Sequence, residues 1–120
     1  MNTSLLGRWG EAQALEYLKR KGFVPLAAGY RTRFGEIDLI VSNKKYIVFA
    51  EVKLRKSAAF ADAREFVDAH KRERLRKTAL MWLSEHETAL QPRFDVLEVY
   101  APEGIKTRSP EINHIENAFE

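Results

Sequence analysis

Apolar and polar positions alternate in two different rhythms along the chain. From about residue 4 to 21, Glu11, Leu15 and Leu18 recur at i, i+4 and i+7, one stripe of a helix. Gly22 stops it, and Lys19, Arg20 and Lys21 fall in its last turn, where cations suit the helix dipole. Residues 23–30 form a short apolar run that reads as a strand, with Pro25 marking an edge or the strand's start. Residues 35–41 and 46–55 are rich in β-branched and aromatic side chains, and 42–45 make the turn of a hairpin between them. From residue 68 to about 87 the helical rhythm returns: Lys71, Leu75, Ala79, Trp82 and Leu83 share a face, with Asp68 as N-cap. Residues 94–100 predict another strand, ended by Ala101-Pro102-Glu103-Gly104, and a last short strand runs through 112–115. Grouped strands flanked by helices predict an α/β domain with a mixed sheet and helices packed on it.

The chemistry concentrates in the expected hairpin. Alternation sets Glu36, Asp38 and Ile40 on one face, and Ile47, Phe49, Glu51 and Lys53 on one face of the next strand. A turn that places Ser42 opposite Lys45 leaves Asp38 diagonal to Glu51, about 7–8 Å between α-carbons. A slip of two residues puts them directly opposite. In either register two acids and a lysine converge on one surface. Like charges this close repel, and each raises the other's pKa. Two such carboxylates suit a hard cation, Mg²⁺ or Mn²⁺, which keeps several waters. That cation would acidify a water and neutralise charge on a phosphoryl oxygen. Lys53 can orient the water or stabilise developing negative charge. Acids and lysines also alternate on solvated strand faces. Here, however, Glu51 and Lys53 sit among Ile47, Val48, Phe49, Ala50, Val52 and Leu54, where a charged pair is costly unless it is matched or used.

Composition narrows the classes. The 120 residues fit one domain, 1–120, and 45% hydrophobic with 31% charged residues is a folding composition. The absence of Cys excludes disulfides, thiol nucleophiles and Cys-based zinc sites, and suits a reducing cytoplasm. Uncharged runs such as 23–30 and 78–84 are too short to span a bilayer, and no signal peptide is expected. Neither a dinucleotide fingerprint nor a Gly-Lys-Ser/Thr loop occurs. His70, His86 and His114 lack the spacing of a helical zinc protease.

Asp38 followed by Glu51-Val52-Lys53 resembles the first acid, second acid and lysine of the PD-(D/E)XK nuclease superfamily, with Ile37 in place of the strict proline. More specifically, the chain resembles the YraN family of small bacterial proteins. The matching pieces are Gly7-x-x-Gly10-Glu11-x-x-Ala14, Tyr17-Leu18, Gly22-Phe23, Gly35-Glu36-Ile37-Asp38-Leu39-Ile40, Val48-Phe49-x-Glu51-Val52-Lys53-x-Arg55, Lys71, Arg93-Phe94-Asp95-Val96 and Asn117-Ala118-Phe119. The resemblance implies a restriction-endonuclease-like αβββαβ core and kinship with archaeal Holliday-junction resolvases. By that analogy Glu11 joins Asp38 and Glu51 as a helix acid at the metal site, and Lys71 borders it. Glu36 is an accessory acid, in the metal shell or partnering Lys53 or Arg55. The segment Ala59-Phe60-Ala61-Asp62 departs from the family pattern, where a Phe-Gly pair is common.

The net charge of +3 decides little until it is divided along the chain. Residues 19–78 hold sixteen Lys/Arg against seven acids, +9, and the flanks hold four against ten, −6. The candidate phosphate contacts are led by Arg31, Arg33, Arg55, Lys56, Lys71 and Arg74, with Lys44, Lys45, Arg72, Arg76 and Lys77 beside them. Trp9, Tyr17 and Trp82 read as core, so DNA is favoured over an RNA-stacking surface. The expectation is a metal-dependent nuclease that hydrolyses DNA phosphodiesters, of branched or damaged DNA in repair or recombination. The alternative is a nucleic-acid-binding module on the same fold that does not cut. A third reading is a protein adaptor that uses the acidic last third. A homodimer would match the two strands of a duplex, and no membrane partner is expected.

Overall fold

Ser4 opens the first helix of the computed structural model, which describes residues 4–56 and 68–120. Its hydroxyl accepts from the Gly7 N–H at 2.9 Å, and α1 runs Leu5–Arg20. Three strands follow: β1 (Val24–Thr32), β2 (Gly35–Ser42) and β3 (Tyr46–Arg55). Helix α2 (Ala69–Glu85) starts at the expected cap, where the Asp68 carboxylate accepts from the Lys71 N–H at 2.8 Å. Strand β4 (Gln91–Tyr100), a single 3₁₀ turn (Gly104–Lys106) and β5 (Glu111–Phe119) complete the chain. The last two strands are longer than the apolar pattern predicts. Their extra residues, such as Gln91, Pro92, Glu116 and Asn117, are polar or ring-locked and carry no alternation signal. The departure expected at 59–62 lies outside the described residues.

The sheet order is β1-β2-β3-β4-β5. Strands β3 and β4 are parallel, and the other neighbours are antiparallel. A parallel pair needs a crossover, and α2 lies in that connection. Pro25 sits on β1, an edge strand, where a missing N–H is tolerated. Helix α1 covers one face, over Leu39, Val41, Val48, Ala50, Leu97 and Val99. Helix α2 covers the other, over Ile37, Ile40, Ile47, Phe49 and Val96. The buried stripe of α1 is Gly10, Ala14 and Leu18, one residue round from the expected centre, with Glu11 and Leu15 half-buried beside it. A Cβ on Gly10 would come within 2.9 Å of the Leu54 side chain, so the small residues let α1 lie close to β3. No helix among the described residues is long and apolar enough to cross a membrane.

Strict alternation fails in β2, and this corrects the expected faces. Ile37 and Ile40 both enter the core under α2, while Leu39 and Val41 enter the core under α1. On β1, Ala27 and Tyr30 likewise both pack toward α2. Gly29 lies between them with φ +66°, a left-handed conformation that breaks the pleat. Pairing runs Ala28 to Leu39 and Tyr30 to Ile37, so the break on β1 faces Asp38 on β2. The break in alternation therefore falls at Asp38, between Ile37 and Leu39.

At the opposite end of the sheet, Asp95 is 1% exposed and fully matched. Arg93 donates to it twice, at 2.9 and 2.8 Å, His114 Nε2 lies at 2.7 Å, and the Asn117 N–H donates at 3.0 Å. Burial alone would raise its pKa, but the bonds from His114, Arg93 and Asn117 outweigh it and hold the carboxyl below the usual range. These contacts tie β5 to β4 across a register shift between Phe94 and Val96. Among the described residues, Asp95→Ala leaves the Arg93 guanidinium with only a 4.0 Å approach to Glu116 as an ion pair, and is expected to cost about 3 kcal/mol in urea unfolding at neutral pH. Because the folded pKa is depressed, this contribution is present above the unfolded carboxylate pKa and is lost as pH falls through the folded one. The gap between wild type and variant should therefore close on acidification below about pH 4.

Candidate functional site

The β2–β3 turn decides how the acids meet. Asn43 Oδ1 accepts from the N–H groups of Lys45 and Tyr46 at 2.9 and 2.7 Å, and the Asn43 N–H donates to the Tyr46 carbonyl. This sets Ser42 against Ile47 and Leu39 against Ala50, two residues along from the Ser42–Lys45 pairing. Extending the same register by one step sets Asp38 directly opposite Glu51. The ladder stops there. Asp38 Oδ2 instead accepts from the Val52 N–H at 2.8 Å, so a side chain takes the place of a strand partner.

Each acid then meets a different helix. Glu51 is buried, and its Oε2 lies 2.6 Å from the Lys71 ammonium on α2. Asp38 lies close enough to Glu11 on α1 for each carboxyl to alter the other's pKa. Burial, with Glu51 next and Glu11 and Glu36 behind it, pushes the Asp38 carboxyl up to about 7. Glu11 is also raised, by burial first and then by Glu36 and Glu51. Burial, and then the charge of Lys71, pull the Lys53 ammonium down. Glu36 pairs with Arg31 at 3.5 Å and adds its charge to Asp38 and Glu11. The structure thus brings Glu11, Glu36, Asp38, Glu51, Lys53 and Lys71 together.

The donor chemistry fits a hard divalent cation. Asp38 and Glu51 present carboxylate oxygens from adjacent strands, where burial first and the neighbouring acids next disfavour an ionised Asp38. Among the described residues no three His, Cys, Asp or Glu side chains form a ready ligand cage. A cation here would rest on Asp38 and Glu51, with Glu11 behind Asp38 and water completing its shell.

The basic residues divide into separate groups. Arg31, Arg33, Lys71 and Arg74 line one cleft of about 420 Å³ between the β1–β2 turn and α2, with Glu36 on its wall. Lys56 lines a different recess, with Tyr100 and Arg108. Arg55 corrects its expected role as a phosphate contact: its side chain is 9% exposed and lies 3.2 Å from Glu98 Oε2. Glu98 also accepts from Tyr100 and Asn113, so this is a buried polar cluster. Lys44 and Lys45 sit in the β2–β3 turn, at the far end of the hairpin from Asp38. Periodicity gave no sign of the Glu98 and Asp95 clusters, because Arg55, Asn113, His114 and Asn117 reach them from distant parts of the chain.

A raised carboxyl pKa makes stability fall as pH rises. Between the ordinary value of 3.8 and about 7, the folded chain holds a proton on Asp38 that the unfolded chain has released. Asp38→Asn keeps an oxygen for the Val52 N–H and removes the charge. The variant is expected to be about 2–4 kcal/mol more stable than wild type near pH 8, and to lose that gain near pH 4. Parallel stability-against-pH curves for the two proteins would contradict the assignment.

The family described as Uncharacterised protein family UPF0102 matches residues 10–99. The chain is similar to a UPF0102 protein of Caldanaerobacter subterraneus subsp. tengcongensis, 42% identical over 121 residues, covering 99% of this chain and 98% of that one. A UPF0102 protein of Alkaliphilus oremlandii is 42% identical over 117 residues, covering 95% and 97%. One of Syntrophomonas wolfei is 38% identical over 115 residues, covering 95% and 96%. With the motifs read above and matches of this extent, the chain belongs to the UPF0102 family, which is the YraN family.

Proposed function

We propose that this protein hydrolyses DNA phosphodiester bonds with a divalent cation, Mg²⁺ or Mn²⁺, held by Asp38 and Glu51. The observation that carries this reading is the apposition of those two acids at the end of the β2–β3 ladder, with Lys53 two residues beyond Glu51. The resemblance of the same residues to the PD-(D/E)XK pattern supports it.

When bound at these carboxylates, the cation supplies activation of water and neutralisation of phosphoryl charge. The side chains do the rest. Glu11 adds a further carboxylate beside Asp38 on the helix side of the cation. Lys53 has an ammonium whose pKa is lowered by burial, which eases transfer of a proton from Nζ to the departing oxygen. Lys71 neutralises Glu51 and also lines the basic cleft, so it links the acids to the bound backbone. Arg31, Arg33 and Arg74 hold phosphates there without reading sequence.

The short Lys71–Glu51 pair favours a second reading, a binding module that does not cut. A permanent internal cation on Glu51 can replace a metal. One set of measurements separates the two. Plasmid, single-stranded and four-way-junction DNA are incubated with Mg²⁺, Mn²⁺ or chelator. The nuclease reading expects cleavage that chelator abolishes and that Asp38→Ala lowers at least about a hundredfold. It also expects Mn²⁺ to raise the melting temperature of wild type and not of Asp38→Ala. Cleavage indifferent to chelator or to the substitution would sink the metal mechanism. Salt-dependent binding without cleavage, retained in Asp38→Ala and Glu51→Ala, would establish the module instead.

A further inference from the structure

Phe34, in the β1–β2 turn, stands between two recesses. One is the basic cleft beside Lys71 and Arg74. The other is a hollow of about 440 Å³ lined by Phe34, Lys77, Leu80, Met81 and Ser84. Leu80 is 64% exposed there, a large apolar side chain with most of its surface in solvent. Positions 71, 74, 77, 81 and 84 are three or four residues apart, so they form one stripe along α2. The stripe begins in cations next to Glu51 and ends in the apolar hollow. Where it changes character, the Phe34 ring is flanked by the Arg33 guanidinium at 4.9 Å and the Lys77 ammonium at 5.7 Å.

We propose that the hollow receives an unpaired DNA base whose neighbouring phosphates lie in the basic cleft. The proposal rests on the nucleic-acid reading above and deepens it by naming the substrate class. Three observations support a base as the occupant. The lining suits a flat, apolar-faced ring: Phe34 offers an aromatic surface, Leu80 an aliphatic one, and Met81 a thioether that shapes itself to its neighbour. Lys77 and Ser84 supply a donor and a hydroxyl for the polar edge of the base. Phe34 belongs to both recesses, so a strand leaving the cations meets the hollow without crossing other surface.

Charge complementarity points the same way, since a base arrives with phosphates on both sides and the adjoining wall is cationic. From Lys71 to Met81 the helix rises about 15 Å at 1.5 Å per residue. That spans about four nucleotides at a 3.4 Å rise. A base inside a duplex cannot enter a side-on recess unless it leaves the stack. The preferred substrate is therefore DNA with an unpaired nucleotide, a bulge or a flap, a few nucleotides from the bond cut.

The test measures binding in chelator, so that nothing is cut. Three labelled duplexes are compared at low salt: one with a single-nucleotide bulge, one with an abasic bulge at the same place, and one fully paired. Wild type is expected to bind the base-carrying bulge at least about tenfold more tightly than the abasic one. Leu80→Ser, at an exposed position, should erase that preference and leave abasic affinity unchanged. Arg74→Ala should weaken both bulged duplexes alike. A 2-aminopurine in the bulge should change its fluorescence with wild type and not with Leu80→Ser. Equal affinity of wild type for the two bulges overturns the proposal, as does a Leu80→Ser variant that weakens both equally. A change of oligomeric state in Leu80→Ser also overturns it, by assigning the hollow to a second copy of the chain. Metal-dependent cleavage without any base preference rejects this inference and leaves the nuclease reading standing. Failure to bind any of the duplexes rejects both.

Discussion

Four carboxylates meet where β2 parts from β3, and the chain must hold Asp38 there against their repulsion. It does so with one backbone bond, from the Val52 N–H to Asp38 Oδ2. That bond takes a donor that the sheet would otherwise use, so the two strands separate beyond Leu39 and Ala50. The separation lets α1 bring Glu11 to one carboxyl and α2 bring Lys71 to the other. The cleft beside Lys71 and the raised Asp38 pKa follow from the same local geometry.

Two aspartates in one sheet show what environment does to identical chemistry. Asp95 is buried with an arginine, a histidine and a backbone N–H on its oxygens, and its pKa is lowered. Asp38 is buried beside acids, accepts from the Val52 N–H, and its pKa is raised to about 7. The first arrangement strengthens the fold and leaves little for a ligand to add. The second makes ionisation costly, through burial first and neighbouring acids next, and a bound cation would offset that cost.

The surface extends this division. Cations gather on one side of the β1–β2 turn, beside the acids, and apolar side chains gather on the other. Phe34 joins the two areas, with the Arg33 and Lys77 cations close to its ring. A phosphate-sugar-base polymer presents the same pairing of charge and apolar face within each unit. That match, rather than the overall charge, is what favours nucleic acid as partner.

The helices and strands, their order and the Asp68 cap are legible in the sequence, because each depends on residues only a few positions apart. So is the gathering of Asp38, Glu51 and Lys53 on one hairpin, whose strands are adjacent in the chain. Register was not, because it depends on the Asn43 side chain bonding its own turn. Nor were the faces of β2, because a left-handed Gly29 on the neighbouring strand breaks the alternation. Arg55 and Arg74 look alike in sequence, yet one is buried against Glu98 and the other lines the cleft. What the sequence determined by itself was the inventory of elements and acids, since local periodicity and turn chemistry suffice for those. What only the tertiary structure decided was which charges are matched and which remain open, since that depends on side chains brought together from distant strands and helices.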